Sequence, residues 1–304
     1  MTHEVSGKVV LITGPARGIG AETARMLAGR GARLALVGLE PERLSALAEE
    51  LGGHHVWFEC DVTKQAALER AVEGTVEALG GIDVVVANAG IVSYCTVGVG
   101  PVDALVRTIE VNLTGVVRTV SSTLQHVTAA RGYYLLGSSA AAMAPLPGLS
   151  TYAAAKSGVE QFGNVLRLEV GHKGVGVGVA HPSWIDTDMV RDARHDLKSF
   201  NKTLATLPWP FSSVTSVKTC AAAFVKAIER RKRKVYVPGT LAPLSGLRYL
   251  ITNPLSEYIM GRNARRLVPQ SEREVLKLDR SFGRNSVETQ GKLKTEDASM
   301  PSVK

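Results

Sequence analysis

Short apolar runs bounded by glycine or polar turns recur through most of this chain: "KVVLIT", "RLALVG", "HVWFEC", "IDVVVAN", "YYLLGSS", "VGVGVAHP" and "KVYVPG". Their length and their richness in β-branched residues predict buried strands. Between several of them the apolar positions recur at helical spacing, as in "AETARMLAGRG", "PERLSALAEEL" and "KQAALERAVEGTVEALG", with Pro41 placed to open the second helix. The strands are near-continuously apolar rather than alternating. That is the mark of a parallel sheet covered by helices on both faces, here an α/β, doubly wound sheet of about seven strands. The alternation holds from about Lys8 to Pro238. Beyond Gly239 it stops, with Pro243, Pro254 and Pro269 in quick succession. A main domain is therefore expected over 1–240 and a C-terminal extension over 241–304. The polar end "NSVETQGKLKTEDASMPSVK" is expected to fray.

The chain has 304 residues and 45% hydrophobic content, enough to bury one large core. A formal charge of +8 would suit an anionic cofactor, an acidic surface or nucleic acid. Much of the excess lies in local runs such as "ERRKRKV", which reads as a solvated helix end, and no aromatic residues interleave the cations as nucleic-acid binding would ask. Cys60, Cys95 and Cys220 are odd in number and far apart, and His54, His55 and His181 have no ligand spacing. Neither a disulfide framework nor a metal site is expected. The start "MTHEVSGKVVLIT" has no secretory pattern, and no apolar run is long enough to span a bilayer, so a cytoplasmic location is expected.

Two patterns carry candidate chemistry. In "VVLITGPARGIGAETARML" a strand runs through a glycine turn into a helix. Gly14, Gly18 and Gly20 would let the backbone turn sharply and aim amides at a pyrophosphate. In "LSTYAAAKSG", Tyr152 and Lys156 stand four residues apart in a helical run and so share one face. An ammonium at that separation is expected to lower the phenol's pKa by about 2 to 3 units before desolvation opposes it, which would make Tyr152 a proton donor and acceptor. Ser139, at the end of "YYLLGSS", sits where doubly wound sheets place ligands.

The loop spacing T-G-x-x-x-G-x-G resembles that of the short-chain dehydrogenase/reductase family, classical type. Further matches lie in "ECDV", "ANAG", "VNLTG", "GSS", "YAAAK" and "HPSWIDTDM", in the family's order over roughly residues 7–240. Asn112 precedes Ser139 by 27 residues, and Ser139 precedes Tyr152 by 13. The resemblance implies a Rossmann-like fold and hydride transfer between NADP or NAD and a secondary alcohol or ketone. It implies Asn112, Ser139, Tyr152 and Lys156 as the catalytic set, with Tyr152 as acid and base. Lys156 would also hold the nicotinamide ribose, Asn112 would steady a helix kink and a proton-relaying water, and Ser138 is the nearest rival to Ser139. Cofactor binding is implied for Thr13, Gly14, Arg17, Gly18, Ile19, Gly20, Asp61, Val62, Asn88, Ala89, Gly90, Tyr152, Lys156, Pro182, Ile185 and Thr187.

Ala87 and Ser183 depart from the family's usual asparagine and glycine. At the end of the second strand the usual NAD-selecting acid is replaced by Gly38, and Leu39 stands where an arginine is often found. Arg17 could supply charge for a 2′-phosphate and favours NADP; Glu40 would oppose it if the loop curls inward. Residues 184–211 and "MAPLPGL" suggest a bulky apolar substrate, and residues from Asp186 to Ser213 a lid over it. For "LAPLSGLRYLITNPLSEYIMGRNARRLV", packing on the core or on a partner of a homo-oligomer, dimer or tetramer, is favoured over contact with a membrane surface. The rival readings are a catalytically silent dinucleotide-binding sensor and an epimerase or dehydratase acting on nucleotide sugars.

Overall fold

In a computed structural model, which describes residues 4–246, 253–278, 280, 282 and 283, the seven apolar runs form one parallel sheet. Its strands are β1 (Val9–Thr13), β2 (Arg33–Gly38), β3 (Val56–Glu59), β4 (Val84–Ala87), β5 (Tyr133–Gly137), β6 (Gly176–Pro182) and β9 (Lys234–Val237), in the order β3-β2-β1-β4-β5-β6-β9. A separate two-stranded pair joins β7 (Trp184–Ile185) to β8 (Val214–Thr215). The chain is α/β and doubly wound, as expected.

The side-chain period of two explains why the strands are apolar throughout. Val9 and Leu11 face one core with Ala35, Val85, Tyr134 and Leu136, while Val10 and Ile12 face the other with Leu34, Leu36, Val86 and Leu135. Each fully buried Val or Leu side chain contributes about 1.5 to 3 kcal/mol. The first core is covered by α3 (Gln65–Leu79), α5 (Gly115–Ala129) and α6 (Ser150–Gly171), the second by α1 (Gly18–Ala28), α2 (Pro41–Leu51) and α9 (Val217–Glu229). Between α4 (Val102–Ile109) and α5 the helix widens into a π turn over Glu110–Thr114. His55 and His181 serve the fold. His55 accepts the Leu34 amide, and His181 is fully buried, stacked on Tyr236 and 3.6 Å from Glu160.

The segment expected as a lid forms α7 (Asp188–Asp196) and α8 (Lys198–Thr206), followed by a loop to Ser213. Beyond the sheet come α10 (Leu241–Ser245) and the 25-residue α11 (Pro254–Leu278), which packs against α8. Glu272 accepts a hydrogen bond from Thr96 at 2.7 Å, and Glu274 accepts from the Ser199 amide and hydroxyl at 2.9 and 2.6 Å. The inner stripe of the extension thus lies on the main domain. The "LRYLIT" part of the predicted apolar segment and the polar end expected to fray lie outside the described residues. Among the described residues no helix is long and apolar enough to cross a membrane, and no cluster of three metal-ligating side chains occurs.

Ending the chain at residue 246 would remove these charge-assisted bonds and expose the apolar stripe beneath α11. We expect the melting temperature, measured by calorimetry, to fall by roughly 5 °C or more. Coincident melting of the truncated and full chains would show that α11 adds no stability.

Candidate active site

Strand β1 ends at Thr13 and the chain reaches α1 through Gly14 and Gly18, both at positive φ (+67° and +57°), a conformation that only glycine adopts without strain. A Cβ on Gly20 would collide with the Gly14 carbonyl oxygen, so that glycine lets the first turn of α1 close over the loop. The loop is tied to the end of β4 by side chains. The Thr13 hydroxyl accepts the amides of Asn88 and Ala89, both at 3.1 Å, and Asn88 donates its side-chain amide to the carbonyls of Thr13 and Gly14. The result is a cleft of 260 Å³ at the C-terminal edge of the sheet, between β1 and β4 where the strand order reverses. Its walls include Gly14, Arg17, Gly18, Ile19, Asp61, Val62, Asn88, Ala89, Gly90, Asn112, Tyr152, Lys156, Pro182 and Thr187.

Three predicted cofactor residues stand behind this wall rather than on it. Thr13 and Gly20 shape the loop from below, and Ile185 is buried in the core with its carbonyl accepting the Thr187 hydroxyl at 3.3 Å. Asp61 reaches the cleft with its carboxylate already engaged. Thr63 donates to it at 2.9 Å (amide) and 2.8 Å (hydroxyl), and Arg107 at 2.8 Å. Burial alone would raise the Asp61 pKa, but together these donors hold it below the usual range.

At the far end of the cleft, Gly38, Leu39 and Glu40 line the wall opposite Arg17. The loop does curl Glu40 inward. Its carboxylate takes both the Nε and the Nη2 of Arg17, the former at 3.1 Å, and Asp188 lies 3.7 Å from the same guanidinium. Sequence spacing alone left the direction of Glu40 open, since it depends on how α2 begins.

The four predicted catalytic residues converge. The Asn112 side chain leaves the π turn and donates to the carbonyls of Thr108 (2.8 Å) and Ile91 (2.7 Å), so it satisfies a carbonyl in the wide turn. Its Oδ1 is fully buried with no hydrogen-bond partner among the described residues. A Cβ placed on Gly90 would lie 2.7 Å from that oxygen and 3.5 Å from Lys156 Nζ, so both polar atoms face one small space. Lys156 donates to the Gly137 carbonyl at 2.8 Å and lies 5.5 Å from the Tyr152 ring centre. Ser138 donates to the Lys156 carbonyl at 2.7 Å and so braces α6, while Ser139 lines a neighbouring cavity together with Tyr152.

One expectation is reversed. The Tyr152 pKa lies above its ordinary value, because burial outweighs the opposing hydrogen bond with Ser139. Burial also brings Lys156 down to about 8. Helical spacing shows the two heads side by side but does not show that both are withdrawn from water, and desolvation penalises the charged form of each.

A second cavity, of 560 Å³, opens on the other side of Tyr152. Tyr94, Trp184, Phe200, Leu204 and Phe211 line one side, Pro145 to Leu149 another, and Met260, Ala264, Leu267 and Val268 of α11 a third. Among the described residues no Asp, Glu, Lys, Arg or His side chain lines it. The contribution of α11 has no local sign in the sequence, because the helix lies more than 100 residues from Tyr152 along the chain.

The family model for short chain dehydrogenases matches residues 8–198. Glycine betaine reductase ATRR of Emericella nidulans is 35% identical over 190 residues, which is 61% of this chain but 15% of that protein. An 11-beta-hydroxysteroid dehydrogenase of Pinus massoniana is 32% identical over 194 residues, 62% of this chain and 54% of that protein. The chain therefore spans only part of the length of both relatives. An X-ray structure of an alcohol dehydrogenase from the archaeon Thermococcus sibiricus, complexed with 5-hydroxy-NADP, superposes with a TM-score of 0.65 and 25% identity, over 75% of this chain and 95% of that one.

The depressed Lys156 pKa has a stability consequence of definite sign. Between about 8 and the ordinary 10.5 the unfolded chain carries more protons at this residue than the folded chain, so folding gains stability as pH rises through that window. Denaturant titrations should show wild type gaining on Lys156→Met from pH 8 to 10.5. Parallel curves would mean that the ammonium is not desolvated.

Proposed function

The chain belongs to the short chain dehydrogenase family, and on that premise we propose that it is an NAD(P)-dependent oxidoreductase that interconverts a bulky, apolar, uncharged secondary alcohol and its ketone, with NADP preferred. The observation that carries this reading is the position of Tyr152, the titratable side chain common to the dinucleotide cleft and the uncharged cavity. The cavity volume falls in the range of about 300 to 1,000 Å³ that buries small organic ligands, and its lining among the described residues offers no cationic partner for a carboxylate or phosphate. The pine relative, named for a hydroxysteroid substrate, is consistent with a substrate of this kind.

The cleft fits the cofactor. Glycines 14 and 18 with the start of α1 make a cradle for a pyrophosphate, and the unpartnered Asn112 Oδ1 and the Lys156 ammonium share the space beside Gly90. When bound, the nicotinamide supplies or accepts the hydride. The residues of the chain do the rest. Ser139 holds the substrate oxygen, Tyr152 delivers its phenolic proton as that oxygen gains charge, and Lys156 stabilises the resulting phenolate until a proton returns. In the oxidising direction Tyr152 takes the proton instead. Closing the site with apolar walls strengthens each of these interactions. The same reading includes a homo-oligomer; exposed Val106 on α4 and Val165 and Leu168 on α6 support it.

For NADP, Arg17 is the phosphate ligand and Glu40 its competitor, which must yield the guanidinium when a 2′-phosphate arrives. The NADP derivative in the archaeal relative supports the preference.

Two measurements test the proposal. A reduced-nicotinamide absorbance screen should give higher kcat/KM for neutral multi-ring or long-chain ketones than for small charged hydroxy acids, and Tyr152→Phe should lower kcat by roughly 100-fold or more while dinucleotide binding stays nearly intact. Most of the rate surviving in that variant would remove Tyr152 from the chemistry. In titrations with both dinucleotides, Arg17→Ala should weaken NADPH binding by ~1 to 3 kcal/mol and spare NADH, and Glu40→Gln should tighten NADPH. Tighter binding of NADH than NADPH by wild type would reverse the assignment.

A further inference from the structure

Helix α11 has two faces of different chemistry. Its inner stripe, Met260, Ala264, Leu267, Val268 and Ser271, lines the substrate cavity, and Val275 and Leu278 continue it against Phe200. On the outer side Arg262, Arg265, Arg266, Arg273 and Lys277 are all exposed, spaced mostly by three and four residues and thus on one side of the helix. Two acids among the described side chains of the helix are turned elsewhere: Glu272 bonds Thr96 and Glu274 bonds Ser199. None of the five cations forms an ion pair among the described residues.

Large apolar groups are exposed beside this charge. Tyr258 and Ile259, in the first turns of α11, are 61% and 56% exposed, and Leu276, on the cationic side, is 65% exposed. Trp209 is 72% exposed, in a loop whose neighbouring residues Pro208 and Phe211 line the same cavity as Ile259 and Met260. At a bilayer surface, indole and phenol rings favour the headgroup level, and basic side chains are drawn to anionic headgroups.

We propose that the outer face of α11, with Trp209 and Tyr258, docks the protein on an anionic lipid surface. The helix then lies in the plane of the interface, with the cavity for an apolar substrate directly behind it. The chemistry favours lipid over nucleic acid, because exposed Tyr258, Ile259 and Leu276 share the helix with the basic stripe, and the helix adjoins a cavity lined without charge among the described residues. The link to substrate supply rests on the proposed substrate class; the docking surface itself stands on exposure and charge.

The test is cosedimentation of the full chain with vesicles of phosphatidylcholine alone and of phosphatidylcholine with a third phosphatidylserine, over a salt series. The expected result is partition onto the anionic vesicles that fades as salt screens it. The triple variant Arg262→Gln, Arg265→Gln, Arg266→Gln should lower that partition by roughly 100-fold, and Trp209→Ser should lower it on its own. Both variants should keep wild-type turnover of a water-soluble ketone, which shows that they are folded. Partition no greater than onto phosphatidylcholine alone overturns the proposal, as does partition that the arginine variant leaves unchanged. Binding of duplex DNA that outcompetes the vesicles and is indifferent to Trp209→Ser overturns it in favour of nucleic acid. Vesicle binding is read without turnover, so a protein that docks but reduces no ketone would sink the proposed reaction and leave the docking surface standing.

Discussion

Everything at this site depends on one constraint of a doubly wound sheet: neighbouring strands β1 and β4 send their chains to opposite faces. The helix after β1 covers one core and the helices after β4 cover the other, so a crevice must open between the two strand ends. The crevice is kept in shape by the side chains of Thr13 and Asn88, the latter donating to the Thr13 and Gly14 carbonyls. Thr13 accepts two successive amides from the end of β4 and so fixes the glycine loop and the Asn88 to Gly90 turn relative to each other. Tyr152 and Lys156, which face the crevice, inherit its low polarity, and burial sets the direction in which each is shifted.

The cost of this arrangement is visible in Lys156. An ammonium with one carbonyl partner and little access to water sits in an environment that favours its neutral form. A fold selected for stability alone would not keep it there. The buried Asn112 oxygen makes the same point, since an unpartnered carbonyl inside a well-satisfied helix is expensive unless something polar arrives to use it. Local instability of this kind is where binding energy for a ligand can come from.

How much of this could be read from the chain depends on the range of each interaction. All seven strands were legible, because burial on both faces leaves an unbroken apolar run, and so was the glycine turn, because strand, loop and helix are contiguous. Tyr152 and Lys156 were legible as neighbours through helical spacing. The sign of the phenol's shift was not, because it depends on walls contributed by Tyr94 and other distant residues. Ile185, implied as a cofactor residue by the family resemblance, has its side chain in the core and its carbonyl on the Thr187 hydroxyl, a placement no local pattern shows. The inward turn of Glu40 depends on where α2 starts relative to Arg17, a matter of loop geometry. Least legible was the cavity wall supplied by α11, since a helix's own pattern shows that it has an apolar stripe but never which surface will receive it.

The π turn at Glu110–Thr114 separates two tasks along one helix. A wide turn holds one residue more than the regular helix needs and absorbs it locally, so the helix beyond it keeps its face. Val116, Val120 and Val127 therefore stay in the core and Thr123 keeps the Tyr134 hydroxyl whatever the turn does. Losing a single residue here would restore an ordinary helix and leave α5 packed, but the Asn112 side chain would lose the turn that aims it at the Thr108 and Ile91 carbonyls. The core holds the fifteen residues of α5, and the spare residue serves only the direction of Asn112.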